Sequence, residues 1–174
     1  QWDNLKVCNQ YSNMFFVDTI YQKIRCILKE YKITLNMGYH GKMYETSDIQ
    51  TIIKSAIDKY QSELAICEHN RWNVQQLLLG FTPANQEQDN ELRKFVVDGI
   101  IPKEKDAEFE TIKNNLKSDV RRIHPNICEY NHLALIDPEA QLYDRELNKA
   151  IPRILMLIDG RGMCLYKEEQ NENK

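Results

Sequence analysis

Residues 61–81, QSELAICEHNRWNVQQLLLGF, decide how the chain is read. At about 100° per residue the stretch reads as a helix. Leu64, Cys67, Val74 and Leu78 form one apolar stripe with Arg71 in its middle, while Ala65, His69, Trp72, Gln76 and Leu79 gather on the other side. Such a helix is covered on more than one face. Gly80 is its natural stop, because glycine takes the left-handed backbone that ends helices. A guanidinium and an imidazole on a covered helix need partners, since buried unpaired charge is costly. Two readings stay open. In one, Arg71 pairs with a carboxylate such as Glu68 or Asp144 and Trp72 is core. In the other, both face a ligand.

Outward from this helix the pattern is mainly helical, with minor short strands and hairpins. Upstream, Ser47-Asp48-Ile49-Gln50 has capping-box spacing, and Ile49, Ile52, Ile53, Ala56, Ile57 and Tyr60 repeat with helical period. The run to Gly80 is one long helix, or two with a joint near Gln61-Ser62. Residues 14–31 form another amphipathic helix through Val17, Ile20, Tyr21, Ile24, Ile27, Leu28 and Tyr31, with Asn13 as its cap. Residues 32–46 alternate at Ile33, Leu35 and Met37 before the Gly38 to Gly41 turn, which suggests a short hairpin or irregular loop.

Downstream, 84–91 is polar and loop-like. Asp98-Gly99 between Phe95-Val96-Val97 and Ile100-Ile101 signals a tight hairpin. Residues 105–120 read as a mostly exposed helix with Phe109, Ile112, Leu116 and Val120 on one stripe. Residues 123–136 read as loop. Asp137-Pro138 caps and starts a helix, Pro152 kinks or restarts it, and Gly160 ends it. Met163–Tyr166 is a short terminal strand, and the tail 167–174 is polar and disordered.

The 174 residues suffice for one ordinary domain or a core with a small accessory segment. A formal net charge of −3 lacks the global footprint of a nucleic-acid binder. The longest apolar runs fall far short of the roughly 20 residues that span a bilayer, so no membrane insertion is expected. Gln1 in place of Met suggests a fragment or a processed product. Cys8, Cys26, Cys67, Cys128 and Cys164 are widely spaced without a C-x-x-C pair, which suggests buried free thiols in a reducing, cytoplasmic compartment.

Sites of chemistry are few. Arg121-Arg122-Ile123-His124-Pro125 makes a small positive patch suited to phosphate or carboxylate, or an ordinary solvated pair before a loop proline. Tyr143-Asp144-Arg145 opens the next helix. A zinc site from His69, His124 and His132 lacks ligand spacing. There is no G-x-S-x-G, P-loop or G-x-G-x-x-G, so no catalytic residue, metal or cofactor is expected. An enzyme built on Glu68, His69 and His124 would need those side chains to converge.

Taken together, His69-Asn70-Arg71-Trp72 followed by Leu77-Leu78-Leu79-Gly80-Phe81 resembles the H-x-x-W…L-G-[WYF] signature of the ryanodine receptor repeat, the RyR domain. Arg122-Ile123-His124-Pro125, Tyr130 with Leu133, and Tyr143-Asp144-Arg145 resemble its later motifs, and the form around Glu68 looks like bacterial members. The resemblance covers about 63–159. It departs from the pattern in a long connection at 84–121 and in holding a single repeat. The division it implies is an N-terminal helical extension at 1–60, linking to an upstream effector domain of the same polypeptide, an RyR-like domain at 61–166, and the tail.

The family resemblance implies a non-catalytic module that binds a small molecule, with an adenine-type nucleotide favoured. Trp72 would be the stacking platform and His69 its polar neighbour. Arg122 and His124 would lie near the phosphates and Tyr130 on the cleft wall. Asn70, Arg71, Tyr143 and Arg145 complete the candidate binding residues. A homodimer could rebuild a two-repeat pocket with Trp72 from each chain. The alternative is a protein–protein interaction domain that positions the upstream effector.

Overall fold

The computed structural model describes residues 2–29, 32–35, 46–117, 122–158 and 163–166. The architecture is mainly helical. α1 (Val7–Ile27), α2 (Thr46–Lys59) and α3 (Gln61–Leu78) are followed by α4 (Gln86–Arg93), α5 (Asp106–Leu116), α6 (Leu133–Ile136), α7 (Pro138–Lys149) and α8 (Ile151–Ile158). β1 (Lys32–Leu35) pairs antiparallel with β2 (Met163–Tyr166), Lys32 opposite Tyr166. Among the described residues no helix is long and apolar enough to cross a membrane.

Two apolar clusters organise the helices. Phe16, Ile20 and Ile24 of α1 recur every four residues and meet Ile49, Ile53 and Ile57 of α2, with Leu64, Ile151 and Leu155 completing the cluster. The second joins Ala65 to Leu92, Phe95, Phe109, Leu116, Tyr130, Leu133 and Ile136. α3 therefore gives Leu64 to one core and Ala65 to the other. Between these contacts its buried side chains are polar: Glu68, His69, Gln75 and Gln76. α7 packs against this face and buries Asp144 and Asn148.

Several local signals hold. The helix pair breaks at Tyr60, next to the expected joint. Asp98 and Gly99 take positive φ of 51° and 75°, and Val97 bridges Ile100 across the turn. Asp137 caps α7, its carboxylate accepting the Ala140 N–H at 3.2 Å with Pro138 in the first turn. α8 starts at Ile151, one residue before Pro152. Gly80 forms a Schellman end to α3: its N–H reaches the Leu77 carbonyl and the Phe81 N–H reaches the Gln76 carbonyl, each at 3.0 Å.

Other expectations are corrected. α1 starts at Val7, well before Asn13, which lies inside it. Residues 84–91 are not a loop throughout: Asn85 and Gln88 form a reciprocal capping box that starts α4. Residues 123–136 are not all loop: a 3₁₀ turn (Tyr130–His132) and α6 carry Tyr130, Leu133 and Ile136 into the core. β1 pairs with the distant β2 and not within a local hairpin. Cys67, Val74 and Leu78 of the supposed covered stripe are exposed, because the polar face of α3 packs instead. Cys26 and Cys67 are exposed free thiols, against the expectation of burial. The Gly38–Gly41 turn, the Ser47 cap, Arg121, Val120, the Gly160 stop and the 167–174 tail lie outside the described residues or side chains.

Gly80 sits at φ +82°, and a Cβ there would meet Arg122 Nη1 at 2.8 Å. The Arg122 tip can swing away, so the backbone cost dominates. Gly80→Ala is expected to lose about 1–2 kcal/mol, the usual cost of left-handed backbone for a residue with a side chain. Urea unfolding checks it, and an unchanged midpoint would contradict the role given to Gly80.

Candidate functional site

A cavity of about 580 Å³ opens between α1, α3, α5 and α7. Its α3 wall comes from Glu68, His69, Arg71 and Trp72, spaced so that the helix presents them together. Opposite lie Lys113 of α5, Lys117 just past its C-terminal end, and Tyr143 and Asp144 of α7. Ser12 and Phe16 of α1 complete the α3 end.

His124 reaches this cavity through backbone pairing. The Thr82 N–H donates to the Arg122 carbonyl at 2.8 Å and the His124 N–H donates to the Thr82 carbonyl at 2.9 Å. This parallel bridge brings the segment after α3 beside the His-Pro segment despite the long connection between them. The His124 ring then stands edge-on to Trp72, centroids 4.7 Å apart, and to Phe81 at 6.0 Å. His69 lies behind Trp72 at 6.0 Å with its plane tilted by 21°, and Tyr130 meets His69 edge-on at 5.9 Å. Trp72 itself is half-buried.

Beneath the rings lies a charge network. Glu68 is 1% exposed, and its carboxylate accepts from Lys23 Nζ and from Arg71 Nη2, each at 2.6 Å. Lys23 Nζ also donates to Asn148 Oδ1 at 3.1 Å, and Arg71 Nη1 to Gln75 Oε1 at 2.9 Å. Burial outweighs the Glu68 attraction and holds the Lys23 pKa below the usual lysine value. His69 Nδ1 lies 3.0 Å from Asp144 Oδ2 and Nε2 lies 3.0 Å from the Cys128 carbonyl. Both ring nitrogens therefore face an oxygen, which fixes the imidazole between α7 and the backbone at Cys128. Burial raises the Asp144 pKa, with the His69 hydrogen bond opposing it.

At the α5 end, Asp137 Oδ2 takes Lys113 Nζ and Asn126 Nδ2, each at 2.7 Å. Burial alone would lower the Lys113 pKa, but Asp137 and Glu110 outweigh it and raise it. Lys117 is pulled down to about 8 by burial and by neighbouring Lys113. His124 is lowered to about 3, first by burial and then by Lys117 and Lys113, so it is neutral at pH 7. Cys128 is pushed up to about 12 by burial and nearby carboxylates, so it stays a thiol. Asn126 Oδ1 is buried without a hydrogen-bond partner among the described residues.

The structure brings His69, Arg71, Trp72, His124 and Tyr143 to one cavity. Asn70 is exposed on the far side of α3. Arg122 is not on the cavity wall; its Nη1 donates to the Leu79 carbonyl at 3.1 Å, at the C-terminal end of α3. Tyr130 is buried behind His69. Its hydroxyl donates to the Gln141 carbonyl at 3.2 Å and accepts from Arg145 Nε at 3.0 Å, so both residues brace the site from outside. Glu68, His69 and His124 share the cavity, with Glu68 and His69 already engaged by the partners above. His132 pairs instead with Asp89 at 2.5 Å. Burial would raise the Asp89 carboxyl, but His132 and Arg93 hold it below the usual range. No group of three or more His, Cys, Asp or Glu among the described residues is placed to hold a metal ion.

Sequence reasoning missed Lys113 and Lys117. Their signal is spacing: they stand four and eight residues after Phe109, at the edge of the α5 stripe that faces the core. Comparison of the chain with protein-family models, with curated proteins and with solved structures found no match.

Two predictions follow from this charge map. Glu68→Ala leaves the buried Lys23 and the partly buried Arg71 without their carboxylate, and an expected loss of about 3–5 kcal/mol should appear in urea unfolding. A loss under about 1 kcal/mol would contradict it. For His124, the unfolded chain binds a proton below pH 6.5 while the folded chain does not until about pH 3. Stability therefore falls on acidification through that window, by up to about 1.4 kcal/mol per pH unit from this group. His124→Phe should flatten the fall between pH 6.5 and 5. An unchanged slope in urea titrations at several pH values would refute a neutral folded His124.

Proposed function

We propose that the chain is a non-catalytic, RyR-like ligand-binding module whose cavity takes an adenine-type nucleotide or a nucleotide-derived signal. The observation that carries this reading is a half-buried Trp72 on the wall of a 580 Å³ cavity. A tryptophan that served only as core would have no such space beside it. An indole face stacks on a purine for about 1–3 kcal/mol per base. The volume lies within the range of small-molecule sites, and mixed aromatic and charged walls suit a ligand with a flat ring and an anionic end.

Binding is favoured over catalysis by the state of the polar groups. Glu68 is committed to Lys23 and Arg71, and His69 to Asp144 and the Cys128 carbonyl. His124 sits too low to act as a base near neutrality. The cavity is formed by one chain's own helices, so the reading needs no second copy. The competing reading, an interaction module that positions an upstream effector domain, draws on the exposed Val74, Leu77 and Leu78 of α3.

Thermal shift against adenine, guanine, dinucleotide and cyclic nucleotides, on wild type and Trp72→Ala, separates the two. A ligand at 100 times its dissociation constant stabilises by about 2.7 kcal/mol. For a chain of this size the expected shift is about 5–10 °C. Loss of the shift in a folded Trp72→Ala supports the nucleotide reading. Flat curves for every nucleotide would overturn it in favour of the interaction module.

A further inference from the structure

Among the described residues, Arg71, Lys113 and Lys117 are the arginine and lysine side chains that line the cavity, and their situations differ. Arg71 is committed to Glu68. Lys113 Nζ lies 2.7 Å from Asp137 Oδ2 and 3.0 Å from Glu110 Oε1. Lys117 is partly buried and has no carboxylate or hydrogen-bond partner among the described residues. An ammonium that has lost water without gaining an acceptor is costly, and an anion would supply what is missing.

The surrounding carboxylates do not fill that place. Asp137 is shared by Lys113, Asn126 and the Ala140 N–H. Glu110 is held by Lys113, and Glu139 stands exposed at the cavity edge. His124 joins this cationic end to the aromatic wall, since it touches Trp72 and the charges acting on it are those of Lys117, Lys113 and Asp137. Arg122, the phosphate residue suggested by sequence, is turned to the Leu79 carbonyl instead.

We propose that Lys117, with Lys113 behind it, seats a phosphate group, so that the cavity selects a phosphorylated ligand whose anion rests at the C-terminal end of α5 while its ring system meets Trp72. This rests on the nucleotide reading of the same cavity. It assigns the charge-recognising role to the long 84–121 connection and not to the His-Pro segment. It also makes binding pH-dependent. Burial and Lys113 weaken proton binding by Lys117, and an arriving phosphate reverses that balance. Among the described residues, the other charges acting on Lys117 are those of Asp137 and Glu110, with His124 neutral. Phosphate binding is therefore accompanied by proton uptake near pH 8, and affinity falls as pH rises through that value.

Calorimetric titration of adenosine, AMP and inorganic pyrophosphate into wild type, Lys117→Gln, Lys117→Arg and Trp72→Ala tests this, with thermal unfolding to establish that each variant is folded. Lys117→Gln should weaken AMP and pyrophosphate at least 10-fold and leave adenosine unchanged. Wild type should bind AMP several-fold more weakly at pH 9 than at pH 7, and Lys117→Arg should not. AMP and pyrophosphate bound equally by wild type and Lys117→Gln would overturn the phosphate seat while leaving the nucleotide reading intact. Lys117-dependent pyrophosphate binding without adenosine or AMP binding would keep the seat and overturn the nucleotide. Binding of none of the three overturns both.

Discussion

Glu68 holds a carboxylate at 1% exposure between α1, α3 and α7, where water does not compensate it. Lys23 from α1 and Arg71 from one turn along α3 neutralise it, and Asn148 of α7 takes a second hydrogen bond from Lys23. Three helices are thus tied by one charge cluster. Such a cluster is costly to desolvate, and an apolar replacement of equal volume is often no less stable. What it enforces is geometry. α3 rotated away from Lys23 would leave that ammonium buried without its carboxylate, while Arg71, on the same helix, turns with Glu68. The orientation that satisfies Glu68 is also the one that turns His69 to Asp144 and Trp72 to the cavity.

That rotation explains why α3 exposes Val74, Leu77 and Leu78 while burying Gln75 and Gln76. Leu64 and Ala65 are enough to join the two apolar clusters at the start of the helix. Beyond them the contact with α7 is a polar seam, and the seam widens into the cavity. On the α3 wall Glu68, Arg71 and His69 have already met their partners, so that side is preorganised: little reordering is left there for a ligand to impose.

The legible parts of the fold were those written in local chemistry. Asp137-Pro138, Asp98-Gly99 and Gly80 each dictate a backbone shape within a few residues, and the structure has those shapes. Periodicity placed α2 and the buried Phe109 and Leu116 of α5 correctly. It failed on the exposed stripe of α3, because hydrophobicity marks a core face only where the core is apolar, and here the packed face is ionic. α4 escaped notice because it buries Leu92 alone in an otherwise polar run, although Asn85 and Gln88 carried its cap. The pairing of β1 with β2 joins segments far apart in the chain, and no local pattern encodes a partner at that distance.

The site follows the same division. His69, Trp72 and His124 were identifiable as a group because they carry uncommon chemistry in an ordered set of motifs, and the Thr82–Ile123 bridge brings them together. Arg122 looked equivalent to them in sequence. Its guanidinium is drawn instead to the carbonyl end of α3, where the orphan oxygens of a helix terminus favour a cation. Lys113 and Lys117 looked like ordinary surface lysines. Their environment is set by Phe109 and Leu116, which anchor α5 and thereby turn the neighbouring positions inward. A side chain's role in this cavity is therefore fixed by what anchors its helix: apolar contacts for α5, and the Glu68 charge cluster for α3.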